Sequence, residues 1–258
     1  MNIQPHEVEW DRDKISRYWD VFGNINPVTP WFSMKSRYWL LKKIKKILDT
    51  RKGNEIKILD MGSGSGEFIN FIAERTECKA FGIDLSDERI ANASKKYPDV
   101  NFSVGSISET DFEESTFDLV ISTQTIEHLL DDDLEKAFSE INRILKPGGK
   151  ALITTRFEED LAIKKKVCPD CLAIFKHSQH LQTFSINSLK EYLRDANLDV
   201  NEIAKSRCRT DFYGVFPKSH ILFNKMPAIN DLLFYFFGDY LDKRLGIYLY
   251  SIAEKRSV

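Results

Sequence analysis

The chain has 258 residues, 42% hydrophobic and 29% charged, and 37 Lys and Arg against 39 Asp and Glu leave a formal net charge of -2. That length suits one α/β domain with appendages, and the balanced charge argues against a nucleic-acid binder, which carries a basic excess. No apolar run approaches the roughly 18 residues of a membrane span, the polar start Met1-Asn2-Ile3-Gln4-Pro5-His6-Glu7 lacks the regions of a signal peptide, and four cysteines are too few for a disulfide scaffold, so a cytoplasmic protein with reduced thiols is expected.

Residues 1–50 form an aromatic leader that includes Trp10, Tyr18, Trp19, Phe22, Trp31, Phe32, Tyr38 and Trp39. Asp13 to Asp20 reads as a helix, Asn24 to Pro30 as a turn-rich link, and Ser36 to Leu48 as a second, amphipathic helix. The basic run Lys42-Lys43-Ile44-Lys45-Lys46 keeps its apolar residue on one side, the pattern of a solvated helix face.

The domain proper, 51–258, opens on Ile58-Leu59-Asp60-Met61-Gly62-Ser63-Gly64-Ser65-Gly66. A short apolar run ends in an acid, three alternate glycines follow, and Phe68 to Arg75 carries apolar positions at helical spacing, which reads as strand, tight turn and helix N-terminus. Lys79-Ala80-Phe81-Gly82-Ile83-Asp84 then brings a carboxylate about 20 residues on, suited to ribose hydroxyls. Asp84 fits NAD and S-adenosylmethionine alike, and Asp60 separates them. Its charge repels a pyrophosphate at the helix N-terminus, whereas it pairs with the ammonium of S-adenosylmethionine. Beyond Asp84, Asp87 to Lys96 reads as a helix stopped by Pro98, Val100 to Val104 as the third strand, Phe117 to Ser122 as the fourth, Glu135 to Leu145 as an amphipathic helix closed by Pro147-Gly148-Gly149, and Lys150 to Thr155 as the fifth strand. The alternation is that of a doubly wound, Rossmann-like α/β fold.

Four stretches in order, Leu59 to Gly66, Gly82 to Ser86, Phe117 to Ser122 and Leu145 to Lys150, resemble the motifs of the class I S-adenosylmethionine-dependent methyltransferases. The resemblance implies a seven-stranded sheet with an antiparallel last strand, here Gly246 to Ala253, beside the sixth from Leu198 to Ala204. It implies cofactor contacts from Asp60, Gly62, Ser63, Gly64, Gly66 and Asp84, an adenine held between Leu85 and Ile107, and Thr123 or Gln124 along the methionine part. Where the family carries an acid for the adenine amino group this chain has Ser106, which leaves the backbone contact of Ile107. It also implies that the leader helps cover the cofactor cleft. Glu127-His128 resembles a Glu-His pair of this subtype; imidazole titrates near neutral pH, so His128 is the candidate base for an acceptor hydroxyl, and orienting the loop is the other reading. Asp131-Asp132-Asp133 suits a helix N-terminus, with a carboxylate-bound ion left open.

Within 164–184, Cys168-x2-Cys171-x5-His177-x2-His180 offers two thiolates and two imidazoles, the ligands of a tetrahedral zinc site, although the His-x2-His spacing is short. The alternatives are a polar loop with free thiols and, from His180 to Ser185, a resemblance to members whose His faces the acceptor pocket. Ser185 to Asn197 is the next helix. The stretch 208–244 is longer than a hairpin needs and reads as an acceptor-side insertion. The implied activity is methyl transfer to O or N of a small acceptor. The leader from Glu9 to Asp20, with Phe32-Ser33, is similar to leaders of methyltransferases associated with bacterial surface glycans, which puts a sugar of a glycan or lipid-linked precursor ahead of a quinone-like metabolite. A non-catalytic cofactor-binding scaffold is the rival reading. Nucleic acid is not expected, peripheral membrane contact stays open, and the sequence is silent on oligomeric state.

Overall fold

The computed structural model describes residues 4–25, 32–50, 55–206 and 248–256. A seven-stranded sheet forms the centre, built from β2 (Ile56–Met61), β3 (Cys78–Asp84), β4 (Asn101–Val104), β5 (Phe117–Thr123), β6 (Leu145–Arg156), β9 (Leu198–Ser206) and β10 (Tyr248–Lys255), in the spatial order β4-β3-β2-β5-β6-β10-β9. The first five of these run parallel, and β10 inserts antiparallel between β6 and β9. This is the doubly wound sheet with a reversed last strand that the sequence predicts.

Alternation along the strands supplies two cores. Leu59 and Met61 point to one face, where they meet Leu134, Phe138 and Ile141 of α6 (Asp131–Ile144) and Leu189 and Leu193 of α7 (Ile186–Asp195). Ile58 points to the other, against Leu40, Ile44 and Ile47 of α3 (Arg37–Leu48) and Phe68, Ile69 and Ile72 of α4 (Glu67–Ala73). Fully burying one such side chain contributes about 1.5–3 kcal/mol, so both layers anchor the carboxyl ends of β2 and β5. The strand order departs in opposite directions from these two strands, and an open α/β sheet holds its ligand in the crevice outside their ends. A further helix, α5 (Asp87–Lys96), is capped by Ser86, whose hydroxyl accepts from the Arg89 amide at 3.2 Å.

The leader is longer and more ordered than its sequence pattern indicates. Its first helix, α1, spans Arg12–Ile25 where Asp13 to Asp20 was expected, and a four-residue helix α2 (Phe32–Lys35) precedes α3. The remainder of the expected link, 26–30, lies outside the described residues, as does residue 31. The helix α6 begins at Asp131 rather than Glu135, so the three acids fill its first turn, where they complement the N-terminal end of the dipole. Around the Cys/His stretch the chain makes a second, three-stranded sheet: β7 (Lys165–Val167) and β8 (Ala173–Lys176) form a hairpin, and β1 (His6–Glu7) pairs parallel with β8. Two residues of exposed strand carry no periodicity, which is why β1 is invisible in the sequence. The expected insertion 208–244 lies outside the described residues.

Candidate active site

A cavity of about 380 Å³ opens at the carboxyl ends of β2, β3 and β5 and is roofed by Arg12, Ile15, Trp19 and Phe22 of α1. Of the expected cofactor residues, Asp60, Gly62, Ser63, Gly64, Asp84, Leu85, Ser106, Ile107, Thr123 and Gln124 all line it. Gly66 does not. It is the N-cap of α4 at φ 78°, and a Cβ there would lie 2.5 Å from the Phe102 ring, so its role is to turn the chain and let the helix sit close to β4.

The glycine loop is fastened to the neighbouring strand. The amides of Gly62 and Ser63 both donate to the Ile83 carbonyl, at 2.8 and 3.0 Å, and the Gly64 amide donates to Asp84 Oδ2 at 2.8 Å. Gly62 adopts φ 82°, and a Cβ would stand 2.5 Å from Thr125, so the β2 loop and the β5 loop touch here without room for a side chain. Asp84 also accepts from the Ser86 amide at 3.1 Å. Its carboxylate is therefore fixed at the mouth of the adjacent helix before any ligand arrives.

Asp60 is different. It is only 2% exposed, and its Oδ1 has no hydrogen-bond partner among the described residues. Burial, with Asp84 adding like-charge repulsion, pushes its pKa up to about 7. A buried carboxylate oxygen with no donor on a cavity wall calls for a cationic ligand group, and an ammonium supplies both charge and donors. The donor set therefore fits S-adenosylmethionine, with Asp60 on its ammonium and Asp84 at the ribose, and is repulsive to a pyrophosphate.

At the adenine end, Ser106 stands where an acid is absent from the sequence. Its hydroxyl lies 2.7 Å from that of Ser108, which is bonded to Asp133, and Asp133 accepts from the Arg12 guanidinium, with Nε at 2.9 Å. Asp133 is held below the usual carboxylate range chiefly by that guanidinium, against the opposing effect of burial. The sequence shows Asp133 only as a helix-start acid; its link to the leader comes from tertiary structure, 121 residues apart.

The opposite end of the cavity is assembled from three segments. Ile126–His128 forms one 3-10 turn after β5. Glu127 is fully buried. Its Oε2 accepts from the Thr155 hydroxyl at 3.0 Å, and the Gln124 amide, turned to satisfy both neighbours, donates to Oε1 at 3.2 Å while accepting from the Thr155 N–H at 3.1 Å. Burial raises the Glu127 carboxyl to about 7, against the lowering effect of His180, Thr155 and Arg156. His128 Nδ1 faces the Gln179 carbonyl at 3.1 Å, and its ring centroid lies 4.7 Å from that of Trp19 and 4.9 Å from that of His180. Burial and then the neighbouring His180 depress His128 to about 3, opposed by the carbonyls of Gln179 and Gln124 and by Glu159. The near-neutral titration that made His128 a base in the sequence is absent; at neutral pH the ring is uncharged.

The expected zinc set is not brought together. Cys168 and Cys171 sit on the turn of the β7–β8 hairpin, where the Leu172 amide donates to the Cys168 carbonyl at 2.9 Å, and neither lines the cavity. His177 and His180 line the cavity instead, and His180 Nδ1 is hydrogen-bonded to the Glu159 carboxylate. Burial alone would raise Glu159, but His180, Arg156 and Lys176 outweigh it and hold the carboxyl at about 2. Among the described residues the only group of three or more His, Cys, Asp or Glu side chains with ligand atoms within 4.8 Å of one another is Glu127, His128 and His180. The hairpin turns the thiols away from the imidazoles, which the one-dimensional spacing cannot register.

Gln179 escapes sequence reasoning altogether. It is fully buried at φ 53°, accepts from Trp19 Nε1 at 2.9 Å, and donates to the His128 carbonyl at 3.3 Å. It thus ties the leader to the 3-10 turn. A buried amide in left-handed backbone has no sequence signature beyond being Gln between Ser178 and His180.

The fold and this cavity define a cofactor-binding α/β domain whose donor set suits S-adenosylmethionine. A model of the methyltransferase domain matches residues 59–153. Demethylmenaquinone methyltransferase of Chlorobaculum tepidum is 30% identical over 164 residues, covering 60% of this chain and 67% of that protein. Phosphoethanolamine N-methyltransferase 2 of Caenorhabditis elegans is 37% identical over 119 residues, covering 44% of this chain and 26% of that protein. Burkholderia thailandensis 1,6-didemethyltoxoflavin-N1-methyltransferase, solved with 1,6-didemethyltoxoflavin and S-adenosylhomocysteine, superposes with a TM-score of 0.63 at 19% identity over 98% of this chain and 95% of that one, a likeness of fold. The chain belongs to the class I S-adenosylmethionine-dependent methyltransferases.

Proposed function

We propose that this chain moves a methyl group from S-adenosylmethionine to a hydroxyl oxygen, or a nitrogen, of a small acceptor held beneath α1. The observation that carries this reading is the continuity of one cavity from Asp60, whose Oδ1 has no hydrogen-bond partner among the described residues, to the His128–His180 pair. The cofactor supplies a methyl on a sulfonium, a good leaving group, so the protein's task is alignment and exclusion of water. Asp60 binds the ammonium, Asp84 the ribose hydroxyls, and Leu85 and Ile107 the adenine faces. Trp19 and Phe22 cover the acceptor side and keep water out. His128, neutral and positioned by Gln179, orients an acceptor hydroxyl; an amine acceptor needs no base at all.

The relative that acts on demethylmenaquinone supports a quinone-like acceptor, and the cavity of about 380 Å³ extends from the cofactor residues to His128 and His180. The sugar of a glycan or lipid-linked precursor rests on the leader sequence alone. The test is incubation of the full chain with S-adenosylmethionine and a panel of quinols, phenols, amines and sugar nucleotides, read as S-adenosylhomocysteine formed together with an acceptor heavier by one methyl group. Turnover on at least one hydroxyl or amine acceptor is expected. Tight S-adenosylhomocysteine binding without turnover on the whole panel would favour the scaffold reading.

A further inference from the structure

The acceptor end of the cavity holds a grouping of which methyl transfer, as read above, uses only His128. Glu127, His128 and His180 each offer a ligand atom, all within 4.8 Å of one another, and both histidines stand on the cavity wall. Ligand atoms about 2.1 Å from one ion lie at most about 4.2 Å apart, so small side-chain rotations bring the three onto a common centre. The surroundings are those of a metal site. Each ring turns Nδ1 to an acceptor, His128 to the Gln179 carbonyl at 3.1 Å and His180 to the Glu159 carboxylate, which in a neutral ring leaves the lone pair on Nε2. Metal-bound imidazoles are held in this way, with the second nitrogen on a carbonyl or carboxylate that fixes tautomer and ring plane. Glu127 is oriented in turn by Thr155 and Gln124, both neutral donors, so its buried carboxylate has hydrogen bonds but no direct cationic partner among them.

We propose that Glu127, His128 and His180 form a two-histidine, one-carboxylate site for a divalent transition-metal ion on the acceptor side of the cavity. Two imidazoles and one carboxylate favour Mn²⁺, Fe²⁺, Co²⁺ or Zn²⁺ over Mg²⁺ and Ca²⁺, whose preference is for oxygen alone. Three protein ligands leave coordination positions open toward the cavity. On the methyltransferase reading above, an acceptor hydroxyl fills one of them and gives its proton to bulk solvent on binding, before the site is covered; its oxygen then takes the methyl, and the bonding pair of the broken C–S bond stays on sulfur, giving S-adenosylhomocysteine. The acceptor would then be an oxygen-bearing one, and the histidines act as ligands instead of bases.

The test uses the full chain stripped with a chelator and titrated with Co²⁺, read by its visible d–d absorption, with S-adenosylhomocysteine binding measured on the same samples. One Co²⁺ per chain is expected, displaced by Zn²⁺, and lost in both Glu127→Gln and His180→Gln while a Cys168→Ser, Cys171→Ser double variant keeps it. Folding of each variant is certified by retained S-adenosylhomocysteine binding, and His180→Gln, on the cavity wall, serves if Glu127→Gln fails to fold. No Co²⁺ spectrum in wild-type protein that binds S-adenosylhomocysteine would overturn the proposal, as would a spectrum kept in a folded Glu127→Gln or His180→Gln variant or lost in the cysteine double variant. Co²⁺ bound without S-adenosylhomocysteine would leave the metal site standing and remove the methyltransferase reading.

Discussion

The two ends of the cavity are built by different means. The glycine loop at the cofactor end is made on two neighbouring parallel strands: Gly62, Ser63 and Gly64 are pinned to Ile83 and Asp84 by backbone amides, and only the adenine side reaches out to the leader. The acceptor end is made of side chains from α1, the turn after β5 and the segment after β8, joined by Gln179. Short-range construction tolerates no side chain at its tightest point, whereas long-range construction tolerates substitution but loses its alignment.

That contrast is sharpest at Gly62. A Gly62→Val substitution puts a branched side chain into φ 82° and against Thr125, where even a Cβ would stand 2.5 Å away, so both strain and overlap fall on the cofactor loop. Loss of measurable S-adenosylhomocysteine binding is expected, with a fall in stability of about 1–3 kcal/mol by denaturant titration. At the acceptor end, Gln179→Ala removes the hydrogen bonds that the Gln179 amide makes with Trp19 Nε1 and the His128 carbonyl. A smaller stability loss of about 1–2 kcal/mol is expected, with kcat reduced and S-adenosylhomocysteine affinity nearly unchanged. Equal losses of kcat and cofactor affinity in that variant would dissolve the distinction between the two ends.

The same contrast explains what could be read from the chain. The cofactor loop was legible because Asp60 and Asp84 end apolar strands and Gly62 and Gly64 take backbone angles that glycine alone takes easily, while the seven-stranded sheet with its reversed last strand came from the family resemblance. Ser106 was legible as a departure, but its replacement network through Ser108 and Asp133 to Arg12 was not, because it joins the first turns of α6 and α1, 121 residues apart in the chain. The Cys/His stretch misled for a physical reason: Cys168 and Cys171 have ligand spacing along the chain, yet the β7–β8 hairpin carries them to its tip while the residues after Lys176 return beneath α1 to deliver Gln179 and His180. Glu159, which fixes the His180 ring, precedes the hairpin and gave no signal.

Asp60 tests the central claim most directly, because its hydrogen-bond vacancy and its raised pKa have the same origin in burial. A carboxyl raised from 3.8 to about 7 gives the ligand-free fold stability that is fully present below the unfolded value and lost as pH rises through about 7. Pairing with an ammonium requires the ionised form, so a ligand that binds there must expel the proton at lower pH. The decisive measurement is calorimetric titration of S-adenosylhomocysteine between pH 5 and pH 8 for the wild type and Asp60→Asn. The account predicts wild-type affinity falling about tenfold per unit below pH 7, and an Asp60→Asn variant that binds about 10- to 100-fold more weakly at pH 8, the loss of a charged hydrogen bond, with a nearly flat profile. A flat wild-type profile, or full affinity in the variant, would contradict it.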